Sequence, residues 1–176
     1  MRLKKLLVAA AALAMAGGVM SAAPAGANQG GYGEGCTPGF WKNHLDWKSY
    51  DDNSNPTNDD FLPGSDVEDA LRIDVPSSSS TSAVNFETMT SLQALNGKGG
   101  SGLNGATQIL LRAAVASYLN ADAALDFPLR RFTPGIDGQP SMKSELQRVL
   151  DSGDRGQILE YASYLDGINN AGCPLS

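Results

Sequence analysis

One cysteine and one histidine lie close together near the start of this chain, and both side chains can do chemistry. The stretch reads Cys-Thr-Pro-Gly-Phe-Trp-Lys-Asn-His over residues 36–44. A thiolate is a nucleophile, and an imidazole is a general base or a metal ligand. His44 is the only histidine, and the chain contains no HExxH spacing and no CxxC pair. We therefore expect His44 to pack beside Trp41 and to bond the backbone, with metal ligation and general-base catalysis as the alternatives.

Aromatic side chains gather around the same stretch. Five of the twelve aromatic residues lie between Tyr32 and Tyr50. Trp41, Trp47 and Tyr50 offer a stacking platform for a sugar or a polymer chain, because aromatic rings contribute large contact areas at low entropic cost. The alternative is that the rings pack in the core beneath a disulfide, which is the arrangement that we expect. Exposed rings would instead favour a ligand site with His44 beside it.

Acidic and amide side chains follow the aromatic residues. Asp51, Asn53, Asp59 and Asp60 are candidate calcium ligands, because Ca²⁺ binds hard oxygen atoms. The segment departs from the EF-hand template, since Pro56 stands where that template requires glycine. We therefore expect a solvated acidic loop and no cofactor, with calcium binding as the alternative.

Residues 1–27 have the organisation of a secretory signal peptide. Three basic residues precede an uncharged apolar run over residues 6–20, which is shorter than the roughly 20 residues that span a bilayer. Ala-Gly-Ala at 25–27 is the small-x-small pattern of a cleavage site, which predicts a mature chain that begins at Asn28. An uncleaved anchor is the alternative. The prediction is a secreted protein, extracellular, at the cell surface or periplasmic, with no membrane span after cleavage.

The chain has two cysteines, Cys36 and Cys173, placed near the two ends of the predicted mature domain. Disulfides form in the oxidising compartments that exported proteins reach. We therefore predict a Cys36–Cys173 bridge, with two thiols as the alternative. A loop of this length is expected to contribute about 5 kcal/mol in the chain-entropy model.

The charge of the mature chain limits its partners. Loss of residues 1–27 leaves ten basic residues against nineteen acidic ones, a net charge of about −9. Nucleic acids and anionic membranes require a basic surface, so neither is an expected partner. An extracellular protein or a polysaccharide remains compatible with this charge, as does a homo-oligomer formed through apolar helices and glycine-rich segments.

Apolar periodicity and capping signals predict an all-α domain. A Gly-rich lead, 28–35, is expected to be flexible, and 36–176 to form a single small, disulfide-closed domain of about four or five helices with long loops. Its central helix is predicted over 105–120, which carries a single charge. The other helices are predicted at 65–72 behind a Ser65–Glu68 capping box, at 87–96, from Ser141 to Gly153, and from Asp154 to Gly167, with a helical turn near Trp41.

Residues 36–44 resemble the Cys-Thr-Pro-Gly-(Tyr/Phe)-Trp-Lys-Asn-His signature of secreted bacterial proteins. Segments of the later half are similar to members of this group as well: the alanine-rich helix with Leu119-Asn120-Ala121, the Phe127-Pro128-Leu129 and Ser152-Gly153-Asp154 segments, and the ending Asn169-Asn170-Ala171-Gly172-Cys173-Pro174-Leu175. The resemblance covers most of the mature chain. It implies a location and an architecture, and it implies no activity and no catalytic residues.

Three functions are compatible with these features. The first is an exported structural, adhesive or protein-interaction module without catalytic activity. The second is an extracellular carbohydrate- or small-ligand-binding module that uses the aromatic cluster of Trp41, Trp47 and Tyr50. The third is a hydrolase that depends on His44. No P-loop, dinucleotide fingerprint or GxSxG motif occurs in the sequence, which leaves the first function as the expectation.

Overall fold

A computed structural model describes residues 33–50, 61–76, 84–123, 125–135 and 137–175. The predicted signal peptide and the calcium candidates Asp51, Asn53, Asp59 and Asp60 lie outside these ranges. The helices of the described residues are α1 Pro38–Asn43, α2 Val67–Leu71, α3 Ser91–Leu95, α4 Gly102–Asp122, α5 Met142–Asp151 and α6 Arg155–Asn169, with a 3₁₀ turn at Trp47–Ser49.

α4 is the central helix, as its composition predicts. Thirteen of its 21 residues are buried, and every residue from Ala113 to Asn120 is among them. A helix that is buried on all faces must be surrounded by other elements. α6 packs along α4, and α1, α2 and α3 also contact it, while α5 packs against α6.

Glycines set the start of α4. Gly99, Gly100 and Gly102 all have positive φ angles, which side chains with a Cβ rarely adopt. Gly105 lies directly against the backbone of Gly100, where a Cβ would clash. This close approach turns the chain sharply into the helix, three residues earlier than the apolar pattern predicts.

Local capping signals correctly predict where the last two helices begin. The Ser141 hydroxyl accepts the N–H of Ser144 at 3.2 Å, and the Asp154 carboxylate accepts the N–H of Gln157 at 2.9 Å. The predicted end of α6 at Gly167 is wrong. Gly167 keeps a helical backbone, and the helix continues to Asn169, whose side chain is buried.

α2 begins one residue later than the predicted capping box requires. Its N-cap is Asp66, whose carboxylate accepts the N–H groups of Glu68 at 2.9 Å and Asp69 at 3.4 Å. Ser65 is therefore not the cap. Its hydroxyl instead accepts the N–H of Leu62 at 3.2 Å and closes the preceding turn.

α3 is shorter than its predicted range of 87–96. Thr90 caps it, with its hydroxyl accepting the N–H of Gln93 at 3.2 Å and the Gln93 side chain accepting the Thr90 N–H at 2.8 Å. This reciprocal box fixes the start at Ser91. The residues before Thr90 instead pair with α2, since the N–H of Val67 donates to the Met89 carbonyl at 2.8 Å.

The long loop between α4 and α5 is tied to the end of α4. The Arg131 guanidinium lies 2.6 Å from the Asp122 carboxylate, and both side chains are largely buried. The Phe132 ring lies between two guanidinium groups, 4.2 Å from that of Arg72 and 5.3 Å from that of Arg131. Phe127 and Leu129 of this loop are buried.

The all-α prediction is confirmed for the described residues, which contain no β-strand. Their six α-helices are roughly consistent with the predicted four or five, and the helical turn or two expected near Trp41 form α1. None of the described helices is long and apolar enough to cross a membrane.

Candidate functional site

α1 positions the motif of residues 36–44. The Thr37 hydroxyl accepts the N–H of Phe40 at 3.1 Å, and Pro38 occupies the first helical position, where its missing N–H costs nothing. The helix ends after Asn43, with His44 as its C-cap. Over this short length Trp41 points into the protein and His44 points outward, so the two side chains do not share one environment.

Both indole rings are buried, as the packing interpretation predicts. Trp41 is 0% and Trp47 is 3% exposed. The Trp47 ring stacks on Phe61 with centroids 5.6 Å apart, and the Trp41 ring meets Tyr50 edge-on at 5.5 Å. A sugar-stacking platform needs exposed ring faces, so the indoles of the predicted ligand cluster do not provide one.

His44 is exposed and rests on Phe40 rather than on Trp41, which corrects the predicted packing partner. The two rings stack with centroids 4.1 Å apart and an interplanar angle of 17°. The Nδ1 atom of His44 lies 2.9 Å from the Phe40 carbonyl, which can only accept, so Nδ1 carries the proton and donates. Neither contact supplies a nucleophile or a carboxylate, the partners that a catalytic histidine requires.

Cys36 and Cys173 form the predicted disulfide and join the two ends of the domain. Gly35 lies beside Gly172 in an isolated antiparallel bridge, where its N–H donates to the Gly172 carbonyl at 2.9 Å. The Glu34 N–H also donates to the Asp126 carbonyl at 3.1 Å. The last residues of the predicted flexible lead are thus held by backbone hydrogen bonds.

A buried asparagine lies directly beneath this disulfide. The Oδ1 atom of Asn120 accepts the N–H of Cys36 and the indole N–H of Trp41, each at 2.9 Å. Its Nδ2 atom donates to the Cys36 carbonyl and to Asn169 Oδ1, also at 2.9 Å each. A side-chain amide has two donors and two acceptor positions, so Asn120 is completely satisfied.

Asn169 extends this network into α6. Its Oδ1 atom also accepts the Ser117 hydroxyl at 3.0 Å, and its Nδ2 atom donates to the Ala113 carbonyl at 2.9 Å. Asn120 and Asn169 are both 0% exposed. We define Cys36, Trp41, Asn120, Asn169 and Cys173 as the clasp, because these residues join α1, α4, α6 and both ends of the domain.

The role of Asn120 is not evident from the sequence. The available signal was an asparagine at the end of the almost uncharged segment 105–120, since a polar group in a buried helix must find hydrogen-bonding partners. The partners themselves lie 49 to 84 residues away along the chain. Only the packing of α1 and α6 against α4 identifies them.

Among the described residues, the shifted pKa values have structural causes. Burial raises the pKa of Tyr118, whose hydroxyl donates to the Leu71 carbonyl at 3.3 Å. Burial also raises the pKa of Tyr161 and, more weakly, that of Glu68. A hydrogen bond from Arg148 lowers the pKa of Glu145. None of these residues belongs to the clasp or to the predicted site.

Metal binding gains no support from the described residues. They contain no group of three or more histidine, cysteine, aspartate or glutamate side chains that could hold an ion. The calcium candidates Asp51, Asn53, Asp59 and Asp60 lie outside the described ranges, so calcium binding there stays a prediction.

Comparison of the chain with protein-family models, with curated proteins and with solved structures returns no match. The resemblance of residues 36–44 to the signature of secreted bacterial proteins therefore stays a prediction, and functional argument rests on the residues themselves.

Proposed function

We propose that this chain is an exported structural or protein-interaction module without catalytic activity. The observation that carries the proposal is that the thiol, the indole and the imidazole of the motif each have a partner within the domain. Cys36 is bridged to Cys173, the Trp41 indole bonds Asn120, and the His44 imidazole bonds the Phe40 backbone. A motif used in this way builds a stable scaffold, and it presents no nucleophile–base pair.

The proposed location is outside the cytoplasm, in the extracellular space, at the cell surface or in the periplasm. The disulfide supports this location, because such bonds persist in oxidising compartments. The leader-like sequence of residues 1–27 and the motif resemblance point the same way. The intact mass of the exported protein tests this location. We expect a chain that begins at Asn28 and lacks two hydrogen atoms, and a mass with both thiols reduced would contradict the proposal.

A partner would meet the surface that α1 presents to solvent, which we call the α1 surface. It comprises the stacked rings of Phe40 and His44, the half-exposed Tyr50 and the Leu45 side chain, which is 49% exposed. Aromatic residues are enriched in protein interfaces. Of the four candidate ligand residues, His44 and Tyr50 reach this surface and the two tryptophans do not. An extracellular protein or a polysaccharide is the proposed partner class.

Substitution of Leu45 tests the α1 surface. The mature protein is immobilised and challenged in turn with a second copy of itself, with a neutral polysaccharide and with an acidic polysaccharide. We expect Leu45→Ser to weaken any retention by at least about threefold, which corresponds to a loss of roughly 0.7 kcal/mol. Leu103→Ser is the matched control, because Leu103 is a similarly exposed leucine at the start of α4. Equal losses in both variants, or no retention of any probe, would remove the interaction part of the proposal.

Substitution of His44 tests the absence of catalysis. Ester, glycoside and peptide substrates are offered to the wild-type protein, to His44→Ala and to Asn43→Ala. Asn43 is an exposed neighbour whose side chain donates to the Gly39 carbonyl at 2.9 Å, so it controls for disturbance of α1. We expect no turnover that depends on His44. Hydrolysis that His44→Ala abolishes and Asn43→Ala retains would show that the protein is an enzyme.

A further inference from the structure

We infer that the amides of Asn120 and Asn169 assemble the clasp before the disulfide forms, so that Cys173 reacts first with an oxidant and Cys36 completes the bridge. The inference concerns how the domain closes, and it is independent of the partner proposed above.

The hydrogen bonds that Asn120 and Asn169 make in the clasp involve no sulfur atom. Asn120 bonds the backbone N–H and carbonyl of Cys36, and both bonds are available whether residue 36 is a thiol or half of a disulfide. Asn169 bonds the Ala113 carbonyl on α4 and receives the Asn120 amide. The start of the domain, α4 and α6 can therefore be brought together by hydrogen bonds and by the burial of Trp41, without covalent help.

The backbone places the second cysteine beside the first one. The Gly35 N–H donates to the Gly172 carbonyl, and these glycines directly precede Cys36 and Cys173. The two cysteine Cα atoms are 4.4 Å apart. Two thiols that are held side by side react intramolecularly. This arrangement therefore raises the effective concentration of each thiol near the other.

The different burial of the two cysteines determines which thiol reacts first. Cys36 is 0% exposed beneath the amide of Asn120, whereas Cys173 is only partly buried. A small-molecule disulfide such as glutathione disulfide can thus reach Cys173 but not Cys36. The deprotonated Cys173 sulfur attacks one sulfur of this oxidant, whose S–S bond breaks and releases one glutathione thiolate. The deprotonated Cys36 sulfur then attacks the Cys173 sulfur and displaces the second glutathione. Two protein thiols are oxidised and one glutathione disulfide is reduced.

Alkylation of single-thiol variants tests the order. Cys173→Ser keeps the Cys36 thiol, and Cys36→Ala keeps the Cys173 thiol. With iodoacetamide under native conditions, we expect Cys36 to react at least about tenfold more slowly than Cys173, because it requires local opening of the clasp. Equal rates would overturn the inference. The variant that lacks both cysteines should keep the buried-tryptophan fluorescence of the oxidised protein, and its loss would overturn the inference as well.

Asn120→Ala in the Cys173→Ser background separates a positioning role from a purely structural one. In this background we expect Asn120→Ala to speed the alkylation of Cys36 at least about tenfold. In the chain with both cysteines, we expect Asn120→Ala to slow the formation of the disulfide by glutathione disulfide. Asn170→Ala is the control, because this exposed neighbour bonds only within α6, at the Asp166 carbonyl. If Asn120→Ala does not fold, Ser117→Ala removes one bond to Asn169 and should shift both rates in the same direction. Lower stability with unchanged rates would show that the amides do not position the cysteines.

Discussion

Removal of the disulfide perturbs the fold at the point where its two ends meet. We consider the variant Cys36→Ala/Cys173→Ser, in which alanine replaces the fully buried cysteine and serine the partly exposed one. Alanine at position 36 leaves no unpaired polar group in the core. The contacts of Asn120 to the backbone of residue 36 are unchanged by this substitution, so the native state keeps its hydrogen bonds.

The expected loss of stability arises in the unfolded chain. The bridge joins residues 137 positions apart. Freeing a loop of this length increases the entropy of the unfolded state by an amount worth about 5 kcal/mol at 25 °C in the chain-entropy model. For a domain of this size, such a loss lowers the melting temperature by roughly 10–20 °C. Domains have total stabilities of roughly 5–15 kcal/mol, so this loss is at least about a third of the stability expected for a domain.

Guanidinium unfolding, followed by tryptophan fluorescence and far-ultraviolet circular dichroism, measures this loss. The oxidised wild-type protein is the reference, and the reduced wild-type protein should unfold at the same midpoint as the variant. We also expect a larger dependence of the unfolding free energy on denaturant in the variant, because its unfolded chain exposes more surface. A loss below about 2 kcal/mol would refute the loop-entropy argument, since it would mean that the unfolded ends stay together without the bridge.

Three further substitutions test individual contacts. Gly35→Ala should lower the unfolding free energy by about 1–3 kcal/mol, because the added Cβ would meet the α6 backbone. Gly64→Ala is the control, since its Cβ would meet no atom within 4 Å, and its melting temperature in thermal unfolding should change little. Asp122→Ala should lower the unfolding free energy, measured with denaturant, by about 3 kcal/mol, because it removes the carboxylate that pairs with the buried Arg131. Glu145→Ala is the control, since it removes the more exposed pair with Arg148 and should have a small effect. Burial raises the pKa of Tyr118 above its unfolded value, so the native state retains a proton that the unfolded state loses. Stability should therefore be level between neutral pH and about pH 10 and fall above it, and Tyr118→Phe should flatten this fall.

Each result has an outcome that contradicts its reasoning. Equal melting temperatures for the two glycine variants would show that the chain near Gly35 moves away from α6 at no cost. Equal losses for Asp122→Ala and Glu145→Ala would show that burial does not strengthen the first pair. An unfolding free energy that stays level to pH 11 would show that the tyrosines ionise as readily in the folded protein as in the unfolded chain.

Short-range signals predicted much of the helical architecture. Ser141 and Asp154 start α5 and α6 as expected, because a capping side chain bonds a backbone N–H only a few residues ahead. The apolar, alanine-rich segment 105–120 correctly indicated a central buried helix. The same local signals failed at Ser65, where the neighbouring Asp66 competes for the N–H of Glu68 and accepts it.

The arrangement of the candidate site did not follow from the sequence, and the buried amides of Asn120 and Asn169 were not among its predicted residues. The motif drew attention to Trp41 and His44 together, yet the first is buried and the second is exposed. Spacing of three residues predicts a shared face only within a continuing helix, and α1 ends at Asn43. Phe40, four residues before His44, is the residue on which the imidazole stacks.

The sequence alone determined which two cysteines can pair, because the chain has only two. It also determined the helical class, since apolar periodicity and capping act over a few residues. Only the tertiary structure decided what holds the ends together beneath the bridge. Asn120 finds the backbone of Cys36 at a distance of 84 residues along the chain, and Asn169 joins it because α6 continues past Gly167. Pairings at such separations depend on how whole helices pack, and no local pattern encodes them.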